Sequence, residues 1–366
     1  MTHPPTRRVE LLAAVMAVAM VSADRSRDGE TLAPEVVARI DARVAESVAR
    51  RKIPGLTIAI HDGRNLWSKG YGLADVENSV PATEATVYRL ASVSKPITAV
   101  AAMQLVEAGR LDLDAPVQKY VPLFPEKQWP VTSRLLLAHL GGIRHYRGEE
   151  ANSTKHYRDR ITPLSIFRDD PLVNEPGTRF LYTTYGYNLL GAVVEGAANR
   201  PFLESVRATI FEPAGMATIR DDDTFAIIPH RAQGYRINRG GRLENSPLAD
   251  TSGKVPGGGL CAPAGDVARF AAALMAGKLL KPETLETMWT GQKPKAGQSI
   301  GYGLGWLLAS HKGVREVSHS GAQARVSTML YLRPERKVAV VVLTNLEGLI
   351  LIDLARDLAD IVAPTD

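Results

Sequence analysis

Ser92 and Lys95 lie three residues apart in the stretch Tyr88-Arg89-Leu90-Ala91-Ser92-Val93-Ser94-Lys95, the only S-x-x-K in the chain. A serine hydroxyl is a weak nucleophile at its free pKa and needs an adjacent base, and a lysine with a lowered pKa can be that base. After Lys95 the apolar residues Ile97, Val100, Ala101 and Leu105 recur at helical spacing, and Pro96 suits a first helical turn. A helix beginning at Ser92 places hydroxyl and amine on one surface, about 5–6 Å apart at Cβ. They then sit at a helix N-terminus, where unpaired N–H groups and the macrodipole favour negative charge. Taken alone, the pair describes a capping serine and a solvated lysine equally well.

Two further stretches carry candidate chemistry. Tyr182 lies in Glu175-Pro176-Gly177-Thr178-Arg179-Phe180-Leu181-Tyr182-Thr183-Thr184, a turn running into an extended segment ahead of a helical pattern. A phenol there can face a cleft, and nearby cations must lower its pKa of about 10 before it acts as a base. A packed core aromatic is the plainer reading. His319 lies in Ser318-His319-Ser320-Gly321-Ala322 between two predicted strands. Gly321 suits close approach of a ligand to the backbone, and His319 is the best placed of the eight histidines for electrostatic or proton-transfer work. An ordinary turn is again the alternative. Metal chemistry has no support in the spacing of His139, His145 and His156, and no H-E-x-x-H or G-x-S-x-G occurs.

The elements that must position these residues are legible from periodicity. Pro34–Arg51 reads as a helix with Val37, Ile40, Val44 and Val48 on one face. Leu56–His61 and Leu66–Leu73 read as a hairpin joined by Asp62-Gly63-Arg64-Asn65. From Ala115 to about Lys254 the pattern is helix and loop, with helices expected over Thr132–His139 and Gly186–Ala198, and another over Asp266–Leu280 just beyond. Strands are expected over Tyr302–Ser310, Val314–His319, Arg325–Leu332 and Val338–Leu343, then a helix within Gly348–Val362. The expected class is α+β. One antiparallel sheet is built from N- and C-terminal strands (about 33–90 and 296–366) and covered by the terminal helices. A mainly helical lobe (about 91–295) is inserted between them, and the Ser92 helix lies at the seam.

Composition narrows the function. With 366 residues, 45% hydrophobic and 23% charged, the chain is an ordinary globular one. The net charge of +5 is scattered without basic tracts, which disfavours nucleic-acid binding and suits an anionic small substrate or environment. The one cysteine, Cys261, allows no internal disulfide and reads as a small buried apolar residue. Arg7 and Arg8, the apolar run Leu11–Val21 and Val21-Ser22-Ala23 form the pattern of a secretory signal cut after Ala23. The expectation is an exported (periplasmic or secreted) hydrolase domain over 24–366 with no stable membrane span after processing. The pattern leaves oligomeric state open.

Taken in order, S-x-x-K, Tyr-x-Thr and His-Ser-Gly resemble the serine β-lactamase and penicillin-recognising enzyme superfamily, most closely its class C-like, esterase-like and β-lactamase-like serine protease branch. Leu135–Tyr146, Gly186–Gly191, Phe211–Met216 and Gly257–Leu260 carry further strings of that resemblance, which spans about Pro54 to Asn345. It implies that Ser92 is acylated, that Lys95 and Tyr182 share the proton work, and that His319 stands where many relatives have lysine. It also implies an oxyanion hole from the backbone N–H groups of Ser92 and Ala322, substrate contacts from Thr184, Ser320, Gly321 and Arg325, and no cofactor or metal.

Four departures bear on substrate. Thr184 replaces the usual asparagine, His319 the usual lysine, and no E-x-x-L-N string is present. His319 would make recognition of a substrate carboxylate depend on pH near neutrality, so that activity on anionic substrates declines as pH rises. Arg325 stands where relatives often have glycine, and either replaces the missing cation or points to solvent. The expected function is therefore ester or peptide hydrolysis by a peptidase or carboxylesterase. D-alanyl-D-alanine carboxypeptidase or weak β-lactamase action is the alternative within enzymes, and a catalytically weak binding or sensor module is the alternative outside them.

Overall fold

The computed structural model describes residues 32–364. The leader expected over 1–23 lies outside these residues. Among them, no helix is long and apolar enough to cross a membrane.

Seven antiparallel strands form the main sheet, in the order Val80–Pro81, Leu66–Asp75, Gly55–His61, Val338–Thr344, Val326–Arg333, Val314–Gln323, Leu307–His311. The two ends of the chain meet at its centre, with Leu56 opposite Thr344 and His61 opposite Ala339. Alternation then assigns the faces. Leu56, Ile58, Ile60, Val338, Val340 and Val342 pack with Ile40 and Val44 of the helix Pro34–Arg51 and with Leu354 and Leu358 of the helix Ile352–Val362. Ala59, Ala339, Val341 and Leu343 face the other way, onto Val267, Phe270, Ala271 and Leu274 of the helix Ala264–Met275. Each such Leu, Ile or Phe contributes about 1.5–3 kcal/mol by leaving water. Sequence position puts Ala264–Met275 in the middle stretch, but its apolar face covers the sheet.

The middle stretch is otherwise helix and loop. At its centre is Ser94–Glu107, with every residue from Ser94 to Met103 buried. The one-face pattern expected around Ile97 gives way to burial on all sides, as for a helix at the centre of a large domain. Thr184–Ala198 packs against it. The strand expected from Tyr302 starts only at Leu307, because Tyr302, Leu304 and Trp306 turn inward and are buried in the helical core. Cys261 is a free, buried thiol, as its isolation in the sequence predicts.

Candidate active site

Ser92 lies in a single 3₁₀ turn, Ala91–Val93, which leads directly into the helix Ser94–Glu107. The α-helix therefore starts two residues later than the spacing suggests, and the hydroxyl still sits at its N-terminal end. A three-stranded ladder anchors the turn: Tyr88–Arg89 pairs with Leu260–Ala262, which also pairs with Arg220–Asp221. Leu90 N–H adds a bond to Leu260 O at 2.8 Å. Just before the nucleophile, Ala91 takes φ +48°, a left-handed conformation that costs a non-glycine residue about 1–3 kcal/mol.

The ladder also brings the glycine run 257–259 against the turn. Lys95 is fully buried, and its Nζ donates to Gly257 O at 2.7 Å, Ser92 Oγ at 3.0 Å and Thr184 Oγ1 at 3.3 Å. A Cβ at position 257 would stand 2.6 Å from Thr184 Cγ2 and 2.9 Å from Thr184 O, so only glycine leaves the carbonyl within reach of the amine. Burial, then repulsion from Lys254, drives the Lys95 amine well below its ordinary pKa.

Tyr182 is held by the loop preceding it in sequence. Leu181 N–H donates to His139 O at 2.9 Å and Thr183 N–H to His139 Nδ1 at 3.2 Å, clamping the backbone on either side of the tyrosine. Thr183 Oγ1 donates to Arg144 O at 2.6 Å and caps the helix Thr184–Ala198 by accepting from Gly186 N–H at 3.3 Å. Thr184 N–H donates to His145 Nδ1 at 3.3 Å. The string Leu135–Tyr146 is thus a splint for the tyrosine segment. The Tyr182 ring lies 4.8 Å from Lys95 Nζ. Burial raises its phenol above the ordinary value, against a smaller opposing pull from the Ser92 hydroxyl.

The strand Val314–Gln323 supplies the opposite wall. Its partner on the outer side, Leu307–His311, pairs only as far as Ser318, so the edge from His319 to Gln323 has no strand beside it. That edge meets the nucleophile turn at Gly321, where a Cβ would stand 2.1 Å from Thr328 Oγ1, 2.6 Å from Leu90 O and 3.0 Å from Ala91 Cβ. Ala322 and Gln323 line the pocket with Ser92.

His319 and Arg325 depart from expectation. The His319 Nδ1–H donates to Ser320 O at 2.7 Å, which leaves Nε2 to accept from the Tyr302 hydroxyl at 3.1 Å. The ring is buried 6.2 Å (centre to centre) from that of Tyr182 and does not line the pocket. Burial, then the nearby Lys95, lowers its pKa to about 3. It is neutral throughout the physiological range, so the expected charge switch near neutrality is corrected. Arg325 donates to Gln233 Oε1 at 2.6 Å and lines a separate cavity with Arg89, Asp222 and Arg231. It therefore neither replaces the missing cation in the Ser92 pocket nor points simply to solvent. Ser320 is exposed and is not among the pocket-lining residues.

The resulting pocket, about 210 Å³, is lined by Ser92, Tyr182 and Thr184, with Tyr146, His145, Lys254 and Gln323 opposite or beside them. Sequence reasoning missed His139, Lys254 and Gln323. The first two lie inside or next to strings that carried the resemblance, but nothing in their spacing marked them. Among the described residues no group of three or more acidic, histidine or cysteine side chains is arranged to hold a metal ion.

Comparison with known proteins agrees with this fold. The human mitochondrial serine beta-lactamase-like protein LACTB is 32% identical over 379 residues, covering 77% of this chain and 69% of that protein. The putative penicillin-binding protein PbpX of Bacillus subtilis is 29% identical over 259 residues, covering 70% of this chain and 62% of its own. The octameric penicillin-binding protein homologue from Pyrococcus abyssi superposes with a TM-score of 0.78 at 30% identity, over 90% of this chain and 78% of that one. The Beta-lactamase family model matches residues 40–363, and the chain belongs to that family of serine hydrolases.

Proposed function

We propose that this hydrolase cleaves an ester or amide bond through an acyl-enzyme on Ser92, as a peptidase or carboxylesterase rather than a dedicated β-lactamase. The observation that carries the reading is the buried Lys95 amine 3.0 Å from Ser92 Oγ, with its pKa driven down. A neutral amine takes the hydroxyl proton as Oγ attacks the carbonyl carbon. The Ser92 and Ala322 N–H groups then stabilise the oxyanion, a contribution of about 10²–10³ in rate for each donor. Between Lys95 and Tyr182, the direction of the shifts favours the lysine as base. A phenol raised above its ordinary value stays protonated and suits delivery of the proton to the leaving group. Lys95 returns that proton to Tyr182, and water hydrolyses the ester on Ser92.

The wall supports the choice of substrate. Thr184 already accepts from Lys95, and neither His319 nor Arg325 presents a charge to the pocket. These features argue against an efficient β-lactamase. Intact-protein mass after treatment with a fluorophosphonate, and separately with a penicillin, tests the reading on wild type and Ser92→Ala. A fluorophosphonate adduct on wild type alone is expected. A penicillin adduct would shift the substrate towards cell-wall peptides, and a folded wild type labelled by neither would favour a binding module. We read residues 1–23 as a leader, and the same spectrum of chain made in an exporting host shows whether the mature protein starts at Asp24.

A further inference from the structure

Lys254 closes the short turn Ser252–Lys254, is only 6% exposed and lines the Ser92 pocket. Its ammonium donates to Ala151 O at 2.7 Å and lies 5.3 Å from the centre of the Tyr146 ring. Among the described residues it forms no ion pair. The acids that attract it are engaged elsewhere, Asp250 with His156 and Thr224, and Asp222 with Arg89 and Arg231. A buried charge costs several kcal/mol unless it is paired, so an anion entering the pocket would stabilise this ammonium.

The rest of the pocket is suited to an anion. None of its lining residues is a carboxylate, and His145 is neutral, with its Nδ1 accepting from Thr184 N–H and its pKa near 4. Gln323 lines the same space, and its amide nitrogen is buried without a partner. We infer that Lys254 is the anion-recognising residue of the Ser92 pocket, pairing with a carboxylate carried by the substrate while the Gln323 amide supplies a second donor. This deepens the acyl-Ser92 reading and rests on it.

The test uses pairs of nitrophenyl-type esters that differ only in carboxylate against methyl, on the acyl side in one pair and on the leaving-group side in the other. Wild type should prefer the carboxylate in at least one pair. Lys254→Met should reduce that preference about tenfold or more through KM, and Lys254→Arg should keep it. Taking the ratio within a pair cancels effects of Lys254 on Lys95 that both substrates share. No preference in either pair, or one unchanged in a folded Lys254→Met, overturns the inference.

Wild type alone gives a second arm. Burial and Arg89 lower Lys254 to about 8 against the pull of Asp250 and Asp222, while Lys95 and His145 also face the pocket. The ammonium is charged below that value, so the preference should hold below pH about 8 and fade above it. A preference that persists well above that value counts against Lys254. If no fluorophosphonate adduct forms, the acyl-Ser92 reading fails separately. Equilibrium binding of glutarate to wild type and Lys254→Met then decides the anion site, and equal or absent binding overturns it.

Discussion

The turn around Ser92 and the strand around His319 each bring a nitrogen base to the same aromatic cluster, where His139, Tyr187 and Tyr302 pack beside Tyr182. Burial acts on both bases in one direction, because removing water disfavours the charged form. The outcomes are opposite because the starting points differ. A lysine begins far above neutrality, so lowering its pKa makes it a usable base. A histidine begins near neutrality, so the same effect takes it out of range and leaves a neutral link between Ser320 O and Tyr302. Contact with the nucleophile divides them in the same way: Lys95 bonds Ser92 Oγ, whereas His319 bonds its own strand and a core tyrosine.

Replacing each base tests this contrast most directly, and Lys95→Met should have the larger effect. It should lower kcat/KM by about 10²–10⁴, measured on a neutral ester, with the fold intact by circular dichroism. A loss of less than tenfold would pass the role of base to Tyr182. The strand has its own sensitive point at Gly321. Gly321→Ala places a methyl against Leu90 O and Ala91 Cβ, and should cost about 1–3 kcal/mol in denaturant unfolding together with slower acylation of Ser92. Unchanged stability would mean that the nucleophile turn can yield without loss.

The smallest kinetic effect is expected at His319. His319→Leu should leave the rate within about tenfold of wild type and cost about 1–3 kcal/mol, because the buried Tyr302 hydroxyl loses its bond to His319. The pH dependence has a defined sign. The folded-state pKa near 3 lies below the ordinary value of 6.5, so the unfolded chain binds the proton more readily. The stability linked to His319 is full above that ordinary value and is lost as pH falls towards 3. His319→Leu should therefore unfold with a weaker acid dependence than wild type, by urea titration across that window. An acid dependence equal to that of wild type would mean that His319 is not buried neutral.

Much of this was legible in the sequence. Short apolar, β-branched runs at Leu56–His61 and Val338–Leu343 read as strands at both chain ends, and Pro34–Arg51 was readable as a helix from its single apolar stripe and the stop at Ile53-Pro54-Gly55. Ser92, Lys95 and Tyr182 were ambiguous one by one and stood out only when their motifs were taken in order as a resemblance; the fold brings the three together. The all-round burial of Ser94–Met103 was not legible, since a one-face pattern cannot report contacts supplied by remote helices. Nor was the inward turn of Tyr302–Trp306, whose alternating apolar residues satisfy a strand template while filling a core.

What the sequence determined by itself was therefore the local set: which segments are extended, which are helical, and where a hydroxyl sits one helical turn from an amine. Only the tertiary structure decided the chemistry of those groups. Desolvation and hydrogen-bond partners come from residues far along the chain. Gly257 reaches Lys95, Tyr302 bonds the Nε2 of His319, and Gln233 draws Arg325 away from the pocket. The same long-range assembly leaves Lys254 beside Ser92 without an ion pair among the described residues, because Asp250 and Asp222, the acids that attract it, are held by other partners.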